Sequence, residues 1–300
     1  MSLLFKKSNY LWMLSLLLLM SCGDDDDDDD DSDLPAINLT VETITPTGAN
    51  YSGHDGLSID AQGNLYVSDL ASGSGTTIFK VTPDGTATVF IDDINGPAGH
   101  TFLSNGNLIV SDFNSRKLHQ ISPDGERSNF LSNPGFRGGT LAIGSDGSIY
   151  HTSFANNRLY KITSDLEVST IVDGLPLNVP FGVALDANDI IYVANFSDGN
   201  ITRIDQDGST SNLVRLPSSI GYLIHANGKL YATGFTSHNI YQVELDGTFI
   251  VLAGTGTSGN DDGNQTEASF FSPNGIAATP DGRTFYVSQR DATIRKITLL

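Results

Sequence analysis

Six oxygen-bearing side chains stand at two recurring points of this 300-residue sequence. Asp55 and Asn274 precede short apolar segments, while Asp69, Asp112, Asn195 and Gln289 close the segments that follow. Hard cations such as calcium or magnesium prefer carboxylate and amide oxygens, which makes Asp55, Asn195, Asn274 and Gln289 the candidate ligands of a divalent cation. Such an ion would polarise a substrate carbonyl and acidify a bound water, with Asp69 or Asp112 as base. His54, His100, Arg137 and Tyr222 lie close to the same points and complete a candidate pocket, and His54 is a further candidate base. A competing reading gives the aspartates and asparagines a local task, because such residues at strand ends commonly bond nearby backbone groups. Other chemistries lack a signature. His100, His151, His225 and His238 recur without metal-ligand spacing, and neither HExxH nor a G-x-S-x-G elbow is present.

The elements that must position these residues follow from a repeat of about 42 residues, a period that marks propellers and solenoids. The units begin GLSIDAQGNLYVSDL at Gly56, GHTFLSNGNLIVSDF at Gly99 and TLAIGSDGSIYHTSF at Thr140. They continue as GVALDANDIIYVANF at Gly182, GYLIHANGKLYATGF at Gly221 and GIAATPDGRTFYVSQR at Gly275. Each holds a short apolar strand, a tight turn that contains glycine in most copies, and a second strand rich in valine and tyrosine. Alternating residues such as 77–81 and 239–243 supply a third strand, and a further turn leads to a fourth. Four strands make a blade, and with no helical pattern to cover the sheets they must cover one another radially. The expectation is all-β: a six-bladed β-propeller of four-stranded antiparallel blades over residues 34–300. The last unit ends after its third strand while residues 37–41 alternate like a spare one, so the N-terminal strand should close the ring.

In such a ring the first strand of each blade starts, and the second ends, on one axial face. The starting column reads Asp55, Ala98, Gly139, Phe181, Ile220 and Asn274, and the closing column Asp69, Asp112, Ser153, Asn195, Gly234 and Gln289. The bulky residues that follow the closing column, Leu70, Phe113, Phe154, Phe196 and Phe235, read as packing between blades. Residues 254–272 lengthen the last repeat and form either a lid over the mouth or a surface excursion.

The net charge of −19 disfavours nucleic acid as a partner, since phosphate backbones are bound through lysine and arginine. A single cysteine excludes an internal disulfide framework, and its position, Cys22, is informative. Lys6 and Lys7 precede the apolar run 11–20, which is too short to span a bilayer, so residues 1–21 read as a signal peptide. The stretch Leu19-Met20-Ser21-Cys22 resembles a bacterial lipobox, which implies acylation of Cys22 and a membrane partner. Residues 22–33 then form a tether whose aspartate run 24–31 stays extended by self-repulsion. Cys-Gly followed by aspartates resembles the surface-export signal of Bacteroidetes lipoproteins and implies a cell-envelope location, in the outer membrane and open to surface exposure.

The segment LAGTGTSG from Leu252, with SPNGIAATPDGRTFYVS and IRKI downstream, resembles an NHL repeat, a family of six-bladed propellers. Pro273-Asn274-Gly275-Ile276 with Pro280-Asp281-Gly282-Arg283 also resembles the senescence-marker/gluconolactonase family, whose metal site hydrolyses lactones. There Asn274 matches the Pro-Asn-Gly asparagine and Asp55 takes a glutamate's place. Gln289 replaces that family's aspartate, and an amide is a poor base. The repeats are similar to the streptogramin-lyase propellers too, but that branch's histidine and glutamate site has no counterpart here. The leading expectation is an envelope binding module for a small molecule, glycan or partner protein at its axial face. The alternative is a divalent-metal-dependent lactone or ester hydrolase.

Overall fold

Consecutive apolar residues in the inner strands, such as Leu65-Tyr66-Val67 and Leu108-Ile109-Val110, leave the sheets apolar on both faces, and the molecule resolves this by stacking sheets around an axis. The protein is seen in a computed structural model that describes residues 37–300. The signal peptide, Cys22 and the tether lie outside the described residues. Six four-stranded antiparallel sheets form the six blades of a β-propeller. Blade 1 runs outward from Leu57–Ile59 through Leu65–Ser68 and Ile78–Val81 to Ala87–Ile91. The innermost strands of blades 2 to 6 are Pro97–Phe102, Leu141–Ile143, Pro180–Leu185, Ile220–Ala226 and Pro273–Ala278. Neighbouring residues of one strand serve opposite neighbours: Leu65 and Val67 pack against Ala277 and Ile294 of blade 6, whereas Tyr66 packs against Leu108 and Val110 of blade 2. Each such fully buried aliphatic side chain contributes about 1.5–3 kcal/mol.

The ring closes as the spare strand suggested, two residues further on. Leu39–Ile44 pairs antiparallel with Ile294–Leu299, from Leu39 opposite Leu299 to Ile44 opposite Ile294. The long segment 254–272 straps this closing blade. Gly263 exchanges both backbone hydrogen bonds with Val41, at 2.8 and 3.1 Å. The fully buried Arg295 donates to the carbonyls of Ser269 at 2.6 Å and Asp261 at 2.7 Å, and its guanidinium meets Asp262 at 2.9 Å. The segment is therefore no lid: none of its residues lines either axial mouth.

Near the axis, a hydroxyl on the second strand of one blade reaches the next blade's backbone. Ser68 donates to the carbonyl of Ala98 at 2.9 Å, Thr152 to Phe181 at 2.6 Å, Thr233 to Asn274 at 2.6 Å and Ser288 to Asp55 at 2.5 Å. This tie requires close approach, which is why Gly275 follows Asn274: a Cβ there would lie 2.2 Å from the Asp55 carbonyl oxygen.

Blade 5 departs from its siblings by one residue. Ile59 pairs with Leu65 across five residues in blade 1, whereas His225 pairs with Leu230 across four in blade 5. Asn227 and Gly228, at φ 50° and 75°, form the tight turn that matches strand twist. The shorter turn slides the inner strand by one position, so Leu223, opposite Ala232, occupies the place of Leu57, opposite Val67. Tyr222 consequently stands where blades 1, 2, 4 and 6 have Gly56, Gly99, Gly182 and Gly275. The starting column reads Gly221 in blade 5, not Ile220.

Candidate functional site

Slanting strands leave two openings on the axis. The wide mouth, about 510 Å3, surrounds the far ends of the innermost strands, and the narrow mouth, about 180 Å3, surrounds their starts. A plug between them forms from the displaced Tyr222. Its hydroxyl donates to Asp55 Oδ1 at 2.8 Å, and Asn274 Nδ2 donates to Asp55 Oδ2 at 3.0 Å. All three side chains are buried. β-bulges aim the starting residues inward: the register shifts between Pro180 and Val183 and between Pro273 and Ile276, and the His54 and Asp55 N–H groups share the Ser68 carbonyl.

Asp55 and Asn274 form the polar floor of the narrow mouth, with His54 beside them. Burial pushes the Asp55 carboxyl up to about 6, against the opposing pull of the Tyr222 hydroxyl, the His54 charge and the Asn274 amide. Burial also holds the Tyr222 phenol well above its ordinary value, so it remains a donor. His54 Nδ1 lies 2.7 Å from the Ser52 carbonyl, which can only accept. Nδ1 therefore carries a proton. Asp69 stands behind it, with Oδ1 3.5 Å from His54 Nδ1 and Oδ2 accepting from the Ser52 hydroxyl at 2.5 Å.

Above the floor lies an apolar collar of Leu70, Phe181, Phe196 and Phe235, interrupted by Arg290. The four rings Phe113, Phe154, Phe181 and Tyr222 follow one another around the axis at centroid spacings of 5.2, 6.3 and 5.4 Å. Phe196 and Phe235 lie 5.5 Å apart, and the Arg290 guanidinium sits 5.8 Å over the Phe235 ring. These phenylalanines are only half-buried. Phe196 and Phe235 pack against each other between blades 4 and 5, the expected role for this column, and they also line the mouth.

The remaining sequence candidates go elsewhere. Asp112 accepts from the N–H groups of Asn114 at 3.1 Å and Ser115 at 2.7 Å and from His119 at 3.0 Å. Burial raises its carboxyl, but these bonds outweigh it and hold the group below the usual carboxylate range. Asn195 accepts from the Asn178 N–H and donates to the Asn200 carbonyl and the Thr202 hydroxyl, at 2.9, 3.2 and 3.0 Å. Gln289 accepts from the Phe271 N–H at 2.9 Å and donates to Asn260 and Thr293 at 2.6 and 2.7 Å. The local reading of strand-end aspartates and amides describes these three. His100 lines the wide mouth instead: its Nε2 donates to the Gly56 carbonyl at 3.1 Å, so the Ser58 hydroxyl donates to Nδ1 at 2.9 Å. Burial lowers His100 to about 4 and keeps it neutral. Tyr222 also reaches the wide mouth, as the plug between the two, and Arg137 is exposed and lines neither.

The donor set does not fit a divalent cation. Of the four candidate ligands only Asp55 and Asn274 face the cavity, and Asn274 turns its NH2 towards Asp55. Among the described residues no group of three or more histidine, cysteine, aspartate or glutamate side chains is placed to hold a metal ion. Arg290 escaped the sequence reading although its signal was present: five blades follow the closing residue with leucine or phenylalanine, and the sixth with arginine.

No protein-family model matches the chain, and no curated protein does. Solved structures share its fold. A gluconolactonase from Xanthomonas campestris superimposes with a TM-score of 0.70 at 17% identity, over 90% of this chain and 96% of that one. An auxiliary nutrient binding protein from Bacteroides ovatus gives 0.71 at 16%, over 87% and 77%. Virginiamycin B lyase from Staphylococcus aureus gives 0.62 at 16%, over 88% and 100%. At such identities the likeness establishes the six-bladed propeller that the NHL resemblance implied, and nothing of the chemistry.

Proposed function

We propose that the propeller is a binding module for a small ring-bearing ligand, free or as the end of a glycan, taken up at the narrow mouth. The observation that carries this reading is the half-exposed phenylalanine collar set over a polar floor of Asp55 and Asn274. Aromatic faces take a flat or sugar ring and floor groups fix its orientation, the usual division of labour in small-molecule sites. The nutrient-binding relatives in fold support it. In the cell envelope, tethered through an acylated Cys22, such a module would hold its ligand near the membrane.

Isothermal titration of the full chain against a panel of monosaccharides and aromatic acids tests the reading. A ligand that binds wild type should lose about tenfold in affinity with Phe235→Ala, because an aromatic contact is worth about 0.5–1.5 kcal/mol beyond its area. Binding unaffected by Phe235→Ala would place the ligand elsewhere. The hydrolase reading is favoured by the gluconolactonase likeness and by the raised Asp55 carboxyl, and opposed by the committed side-chain oxygens. Stoichiometric calcium or magnesium in purified protein, with lactone turnover lost in Asp55→Ala, would reverse this ranking. For the anchor, palmitate should label wild type and not Cys22→Ala.

A further inference from the structure

We infer that the ligand of the narrow mouth is a single hydroxylated ring carrying a carboxylate, with the carboxylate on Arg290 at the rim and the hydroxyls on the floor; this rests on the binding reading above.

Size decides the first part. Pockets for drug-sized ligands measure roughly 300–1,000 Å3. The narrow mouth, at about 180 Å3, has room for one ring.

Charge decides the second. Arg290 is the one lysine or arginine in the lining. Among the described residues it joins no ion pair, although other arginines of this acidic chain do, including Arg127, Arg158, Arg203 and Arg295. Its backbone N–H bonds to the Phe271 carbonyl at 3.3 Å, and its guanidinium rests over Phe235, so the fork is held at the collar. A guanidinium fork matches a carboxylate through two parallel hydrogen bonds.

The floor has the opposite preference. The Asp55 carboxyl oxygens are acceptors, each already drawing a donor, from Tyr222 and from Asn274. Asp55 would repel an anion placed there. A ligand must therefore present donors downward and its negative charge upward, and a ring bearing hydroxyls and one carboxylate, as in a uronic acid, meets both demands.

The experiment compares glucuronate with glucose, and galacturonate with galactose, by titration of the full chain in detergent at low salt. The acid should bind about tenfold or more tightly than its neutral partner, the range expected of hydrogen bonds to a charged group. Arg290→Gln should erase that preference, the acid then binding no more tightly than the neutral sugar measured on the same variant, and being exposed the change should not disturb folding. Equal affinities for acid and neutral ring, or a preference that survives Arg290→Gln, overturns the charge assignment alone. If neither ring binds wild type, the binding reading falls with it.

Discussion

The two mouths of the axis are built from the same six strands yet differ in kind. Residues of the wide mouth are strand interiors: Leu57, Leu141, Val183, Leu223 and Ile276 line it and belong at the same time to the clusters that hold the blades together. Ser58, His100 and the Gly56 carbonyl satisfy one another there, whereas His225 Nε2 in the same lining has no partner. The narrow mouth is made of bulges and strand exits, where packing dictates less, and it gathers a buried carboxyl, an unpaired guanidinium and half-exposed rings. Within a propeller repeat, positions released from core duty are the ones free to acquire chemistry, and only one end of the axis consists of them.

The sharpest way to break this contrast is to disturb the plug that separates the mouths. Gly275→Ala places a Cβ 2.2 Å from the Asp55 carbonyl oxygen and should cost about 3 kcal/mol in urea unfolding, as overpacking of a rigid site does. A cost near zero would mean that the blades are not held at this spacing. A slightly smaller effect should come from Asp55 itself. Its carboxyl is raised in the folded state to about 6 from the ordinary 3.8, so the folded protein holds the proton more tightly than the unfolded chain. Below about pH 4 both states are protonated and nothing is lost. Stability then falls as pH rises, and above about pH 6 the penalty is complete, at about 3 kcal/mol at most. Asp55→Asn cannot ionise, so its stability relative to wild type should rise by about 2–3 kcal/mol between pH 4 and pH 7, while ligand affinity drops. A pH-independent difference would remove the claim that burial raises the Asp55 carboxyl in the folded state.

How much of this was legible in the sequence follows from the same contrast. Six repeats, four strands per blade and the strand that closes the ring could be read because period-two alternation and glycine turns are local. Asp55 and Asn274 could be placed together because both directly precede an innermost strand. Tyr222 could not be understood as a plug, since its position depends on a turn one residue shorter, and a one-residue slip in a strand moves every later side chain. Asp112, Asn195 and Gln289 failed to converge because each oxygen is taken by a backbone N–H, from Asn114 and Ser115 next to Asp112 but from Asn178 and Phe271 on preceding loops for the other two. Phe196 and Phe235 could be read as packing between blades, but not as lining the mouth, because aromatic identity is the same for a ring that only fills a core and one that also rims a cavity. Burial, which sequence spacing does not carry, separates the two.

The smallest expected effect completes the contrast. Ser58→Ala removes the hydroxyl that donates to His100 Nδ1 and leaves a buried acceptor without its partner. His100 is neutral and keeps its other bond, so the loss should be about 1 kcal/mol, as for an ordinary buried hydrogen bond. Because the Tyr222, Asp55 and Asn274 plug stands between the two openings, ligand affinity at the narrow mouth should stay within about twofold of wild type. The test pairs urea unfolding with titration of whichever ring wild type binds. Lost stability with unchanged affinity fits a wide mouth that serves only cohesion between blades. A fall in affinity larger than the fall in stability would show that the wide mouth takes part in binding, and the division between a structural and a functional end of the axis would have to be abandoned.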